Sequence, residues 1–251
     1  MPYSLSGRNV LITGGSRGLG ALTAEKFAAE GSNVAINYMS NKETADKLAA
    51  DIASKYSVKA VVVQGDAGIQ DDCFNVVKAT VEKLGGLDIV ISNAGWTKIT
   101  NFGDLDAMDE EDWDKCWSVN VKSNFHLYKA ALPTINANPE GGAFLITSSV
   151  AGVTATGSSL PYATTKAATL HLMTCLARSQ GPKVRINAVL PGLLLTEWGQ
   201  RFPQDKIDAW TNATVLKKVP EVEDCADMFI AMAKNASMTG QAVLIDSGFS
   251  T

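Results

Sequence analysis

Thr13-Gly14-Gly15-Ser16-Arg17-Gly18-Leu19-Gly20 follows the first apolar run of the chain, 9–13, and opens a helical pattern over 18–30. Glycine alone enters positive φ without steric cost and lets a backbone approach another group closely. A helix that begins directly after such a turn presents unpaired N–H groups and the positive end of its dipole, which suits a phosphate. Gly14, Gly18 and Gly20 are the residues to which this work falls, with Ser16, Arg17 and Leu19 between them. The spacing Gly-x-x-x-Gly-x-Gly differs from Gly-x-Gly-x-x-Gly, so a plain tight turn is the competing reading.

Outward from that turn, short β-branched runs alternate with longer helical patterns along the whole chain. The runs are 9–13, 34–38, 60–64, 88–92, 143–147, 184–189 and 242–246; the helical stretches are 18–30, 42–56, 71–84, 110–132, 163–180 and 222–234. Seven strands separated by helices predict parallel pairing through right-handed crossovers. The expected fold is a single α/β domain over 1–251, a doubly wound seven-stranded parallel sheet of the Rossmann type, with ligands at the carboxyl ends of the strands. One stretch, 192–216, loses the period and carries Trp198, Phe202 and Trp210. It is read as a lid.

Composition narrows the function classes. Of 251 residues, 46% are hydrophobic and 19% charged, enough apolar side chain for a large core. The net charge is −4 with Lys and Arg scattered, so nucleic acid is not an expected partner. Met-Pro-Tyr-Ser-Leu-Ser-Gly-Arg leads into the first strand without a signal-like pattern, and no apolar run is long enough for a membrane span, so a soluble cytoplasmic protein is expected. Cys73, Cys116, Cys175 and Cys225 lie far apart, and His126 and His171 stand alone, so neither a metal site nor a disulfide framework is indicated.

The second strand ends at Asn37-Tyr38, where an acidic residue that grips the ribose of NAD is absent. Arg17, Ser40, Asn41 and Lys42 surround that position in sequence, so the cofactor is read as NADP(H), whose 2′-phosphate a guanidinium pairs well. Arg17 and Lys42 as plain solvated charges are the alternative. Further on, Tyr162 and Lys166 stand four apart at the start of a helical pattern, on one face. An ammonium near a phenol lowers its pKa and fits it for proton transfer.

Taken together these segments resemble the short-chain dehydrogenase/reductase family, loosely its 3-oxoacyl-[acyl-carrier-protein] reductases. The matching pieces are the Thr13 to Gly20 turn, Asp66 (with Ala67) after the third strand, Asn93-Ala94-Gly95 after the fourth and Asn120 in the long helix. Ser148-Ser149, Tyr162 and Lys166, Asn187, Pro191-Gly192 and Asp246 complete them. The resemblance implies a catalytic set of Asn120, Ser149, Tyr162 and Lys166, with Ser148 as the one-residue alternative to Ser149. It also implies that Asp66 meets the adenine, that Asn93 to Gly95 line the adenine and ribose side, and that Asn120 holds a water in a proton relay. Asn93 as a structural cap and Thr196 as a turn residue, instead of a neighbour of the nicotinamide amide, stay open.

The activity so implied is reduction of a small-molecule ketone or aldehyde by hydride from NADPH, with Ser149 on the carbonyl oxygen and Tyr162 as acid. An NAD-dependent alcohol or sugar dehydrogenase and a cofactor-binding protein without turnover are the alternatives. Asp246-Ser247-Gly248 lacks the second glycine of many relatives. Relatives associate, and the stripe Phe125, Leu127, Tyr128 and Ala131 makes a homotetramer or homodimer the expectation, with burial inside one chain as the competing reading.

Overall fold

The computed structural model describes residues 3–251; Met1 and Pro2 of the N-terminal stretch lie outside the described residues. Seven strands form one sheet: β1 (Asn9–Ile12), β2 (Asn33–Tyr38), β3 (Ala60–Gln64), β4 (Ile89–Ser92), β5 (Gly142–Thr147), β6 (Val184–Pro191) and β7 (Ala242–Ile245). Their order is β3-β2-β1-β4-β5-β6-β7, and every pair is parallel. The order reverses between β1 and β4, which makes the sheet doubly wound and opens a crevice at that point.

Strand alternation divides the core into two layers. Val10 and Ile12 of β1 face one, with α1 (Gly18–Ala29), α2 (Lys42–Tyr56) and α8 (Val222–Lys234) packed over them through Phe27, Ile52 and Phe229. Leu11 faces the other, under α3 (Gln70–Leu84), α5 (Ser123–Ala137) and α6 (Leu160–Ser179), which contribute Val77, Leu127 and Met173. Burial on both faces explains why the strands are apolar throughout, without alternation.

Three expectations change. The helix expected over 110–132 is α4 (Glu110–Trp117), a π-turn (Ser118–Lys122) and then α5, which runs on to Ala137 through Pro133. Three members of the supposed association stripe, Leu127, Tyr128 and Ala131, are buried inside this chain, while Phe125 stays 44% exposed. The aperiodic segment 192–216 holds a 3₁₀ turn (Gly199–Arg201) and α7 (Gln204–Ala213). No residue of α7 is fully buried; Ile207, Trp210 and Thr211 share one half-buried face, too short a stripe to give a clear period.

Among the described residues no helix is long and apolar enough to cross a membrane. None of their His, Cys, Asp and Glu side chains cluster to hold a metal.

Candidate active site

The glycine turn leaves β1 and enters α1 with Gly14 at φ +58° and Gly18 at +54°. A β-carbon on Gly20 would fall 2.4 Å from the Gly14 carbonyl, so the turn closes only with glycine there. Arg17 caps α1 without a side-chain hydrogen bond, and the first turn carries no acidic residue. The leading N–H groups and the dipole are therefore open to an anion, and a dinucleotide pyrophosphate fits this cradle.

The turn is held from below by two asparagines. Asn37 is 4% exposed; its Oδ1 accepts the Gly14 N–H at 3.2 Å, and its Nδ2 donates to Val63 and Gly65 carbonyls at 3.3 and 3.1 Å. Its side chain supports the turn and does not reach outward. Tyr38 is buried in the first core layer, as is Leu19. Asn93 donates to the Thr13 and Gly14 carbonyls and accepts from the Thr147 hydroxyl at 3.0 Å, while the Asn93 and Ala94 N–H groups both donate to Thr13 Oγ1. Asn93 thus ties together the ends of β1, β4 and β5.

At the outer edge, Asp66 Oδ1 accepts the Gly68 N–H at 2.8 Å. Met39, directly after β2, and Ile69, which caps the N-terminus of α3, are 60% and 51% exposed.

The second half of the site lies along α6. Ser159 caps this helix by accepting the Tyr162 N–H, and Thr97 Oγ1 lies 2.7 Å from Ser158 Oγ and 3.2 Å from Ser159 Oγ. These buried hydroxyls join the segment after β4 to the first turn of α6. Lys166 is 4% exposed, donates from Nζ to the Thr147 carbonyl at 2.8 Å and stands 5.4 Å from the centre of the Tyr162 ring. Burial pushes its ammonium down to about 8. Burial pushes the Tyr162 phenol up to about 12, against the lowering expected from Lys166, and the nearby Ser149 hydroxyl is what acts to lower it. Ser148 instead donates to the Lys166 carbonyl from a buried position. Of the two serines, Ser149 is the one facing the phenol.

Asn120 lies in the π-turn, a form that recurs at functional sites because it displaces one residue from the helical ladder. Its Oδ1 accepts the Trp96 N–H at 2.8 Å, and its Nδ2 donates to the Trp96 carbonyl and to Thr165 Oγ1 at 2.9 and 3.1 Å. Its carbonyl receives Asn124 Nδ2 and Thr169 Oγ1 at 2.7 and 2.8 Å. Asn120 therefore clamps the 93–96 loop to α6.

Above these residues runs the segment after Pro191-Gly192. A β-carbon on Gly18 would meet the Thr196 methyl at 3.3 Å, and Trp198 packs edge-on to Tyr162, with ring centres 6.3 Å apart, beside Gly95. Gly192 donates its N–H to Ile245 O and packs on Asp246, which in turn accepts the Gly248 and Ser250 N–H groups.

The family model described as enoyl-(acyl carrier protein) reductase matches residues 14–250. The 3-oxoacyl-[acyl-carrier-protein] reductase FabG of Staphylococcus epidermidis is 30% identical over 244 residues, covering 96% of this chain and 98% of that protein. The chain belongs to the short-chain dehydrogenase/reductase family. Solved structures superpose on it closely. The NADPH-dependent 3-quinuclidinone reductase of Rhodotorula rubra has a TM-score of 0.91 at 28% identity, covering 98% of this chain and 92% of that one. A short chain dehydrogenase of Burkholderia cenocepacia in complex with NADP scores 0.89 at 30% identity, covering 99% and 100%. As a short-chain dehydrogenase/reductase, the chain is an oxidoreductase.

Proposed function

We propose that this short-chain dehydrogenase/reductase reduces the carbonyl of a small apolar ketone or aldehyde with NADPH. The observation that carries the reading is one cluster: the Lys166 ammonium, buried and held on the Thr147 carbonyl, 5.4 Å from the centre of the Tyr162 ring, with Ser149 near the phenol. The dinucleotide, when bound, supplies the hydride. Everything else falls to side chains. Ser149 donates a hydrogen bond to the carbonyl oxygen, Tyr162 gives its phenolic proton to the oxygen as negative charge develops there, and Lys166 stabilises the resulting phenolate. Asn120 and the hydroxyl cluster keep the 93–96 loop and the first turn of α6 in register for this transfer.

NADP(H) is favoured by Arg17 in the turn, and an NADPH-dependent reductase and a dehydrogenase in complex with NADP are among the solved structures that superpose on the chain. Lys42, the first residue of α2, is paired with Asp46 on the same helix. An apolar substrate is favoured by Trp198 over Tyr162 and by Val153 and Leu195, which are 52% and 42% exposed. Assembly into a dimer or tetramer is favoured by β7, a sheet edge whose Leu244 is 40% exposed. Light scattering at micromolar concentration should give a multiple of the chain mass; a stable monomer would contradict it.

The function is tested by following NADPH consumption over a panel of ketones and aldehydes with wild type and Tyr162→Phe. Turnover should fall at least about 100-fold in the variant with NADPH affinity nearly unchanged, since the ring is kept and the acid removed. Retention of more than a tenth of wild-type kcat would eliminate Tyr162 as the donor.

A further inference from the structure

Arg17 already has a partner. Its Nη1 lies 3.1 Å from a carboxylate oxygen of Glu197, a residue 180 positions away on the segment that covers the site. Glu197 is held there by its neighbours, for Thr196 packs at Gly18 and Trp198 packs on Tyr162 and beside Gly95. The pair bridges the glycine turn and the covering segment. Its side chains are 73% and 71% exposed, so water screens it and it yields readily to a stronger competitor. A phosphate monoester is such a competitor, with close to two negative charges and three acceptor oxygens that match the guanidinium fork.

We infer that Glu197 is a cofactor-discriminating residue, competing with the 2′-phosphate of NADPH for the Arg17 guanidinium. This rests on the reading of Arg17 as the 2′-phosphate partner. When NADPH binds, Arg17 exchanges a carboxylate for a phosphate, and the covering segment loses its polar tie to the turn while keeping its contacts through Thr196 and Trp198. NADH brings no 2′-phosphate, so it leaves the pair intact. The chain therefore discriminates between the cofactors less sharply than its Arg17 alone would allow, and Glu197 sets by how much.

The test is a set of dissociation constants for NADPH and NADH, measured by fluorescence titration on wild type, Glu197→Gln, Arg17→Ala and the double variant. Glu197→Gln should tighten NADPH by about twofold to fivefold, the range of an exposed ion pair, and change NADH by less. In the Arg17→Ala background the same substitution should have no effect on NADPH. If Arg17→Ala weakens NADPH selectively but Glu197→Gln changes nothing, or tightens NADPH equally with and without Arg17, the competition is refuted and the role of Arg17 stands. If Arg17→Ala weakens both cofactors equally, the 2′-phosphate reading fails first and takes the inference with it.

Discussion

Lys166 holds its charge where charge is costly: it is 4% exposed, and its ammonium donates to a neutral backbone carbonyl. With its pKa pushed down to about 8, it is protonated at neutral pH and loses the proton as the pH rises through that value. Reduction should therefore weaken above about pH 8, read as a fall in kcat/KM, since a neutral amine stabilises phenolate poorly. The same shift bears on stability. Between about 8 and the ordinary lysine value near ~10.4 the unfolded chain binds a proton that the native chain does not, so native stability rises with pH across that window. Lys166→Met should accordingly melt a few degrees higher than wild type at pH 7 and lose much of that advantage by about pH 10. A variant that melts lower at pH 7 would show that the ammonium is better accommodated than its surroundings indicate. Tyr162, Lys166 and Arg17 can be singled out in the sequence because the chemistry proposed for them depends on side-chain type and spacing. Asn37 cannot be placed that way. A position at a strand end says nothing of which way the amide points, and here it points beneath the turn, where an aspartate would face the carbonyls of Val63 and Gly65. Cofactor choice is accordingly argued from Arg17 and Glu197 and not from position 37.

At the level of elements, the strands were read to within one or two residues, because burial on both faces writes a continuous apolar run. The π-turn at Asn120 was hidden, since it changes the hydrogen-bond ladder and not the residue types. α7 was hidden for the opposite reason: its one half-buried face, Ile207 with Trp210, is too short to write a period. The segment from Gly192 onward was read as one aromatic lid, but its aromatic residues divide. Trp198 lies on Tyr162, whereas Trp210 stacks on Phe249 near the C-terminus, with ring centres 4.1 Å apart and planes within 5°. Trp198→Ala should change KM and the ranking of substrates with little change in melting temperature, because a half-buried ring over a cleft leaves no closed cavity behind. A drop of several degrees with the ranking intact would make Trp198 a structural anchor instead.

Across the whole molecule, the reversal of strand order at β1 and β4 brings the glycine turn, the 93–96 loop, Ser149 and the first turns of α6 to one edge of the sheet. Residues 180 positions apart, Arg17 and Glu197, meet there because parallel strands deliver all their carboxyl ends to the same side. That placement is the physical basis for assigning one reaction to the edge, with the cradle for the dinucleotide on one side of the crevice and the acid on the other. Association through β7 would leave this edge open, since β7 lies at the sheet's margin, away from the reversal point. The most direct measurement of the central claim is transfer of label from NADPH carrying deuterium at the nicotinamide C4 to a carbonyl substrate, read by mass spectrometry of the alcohol. The account predicts one deuterium on the former carbonyl carbon, delivered from a single face of the nicotinamide and lost with turnover in Tyr162→Phe; an alcohol whose carbon-bound hydrogen comes from water, or no alcohol from any carbonyl tried, would contradict it.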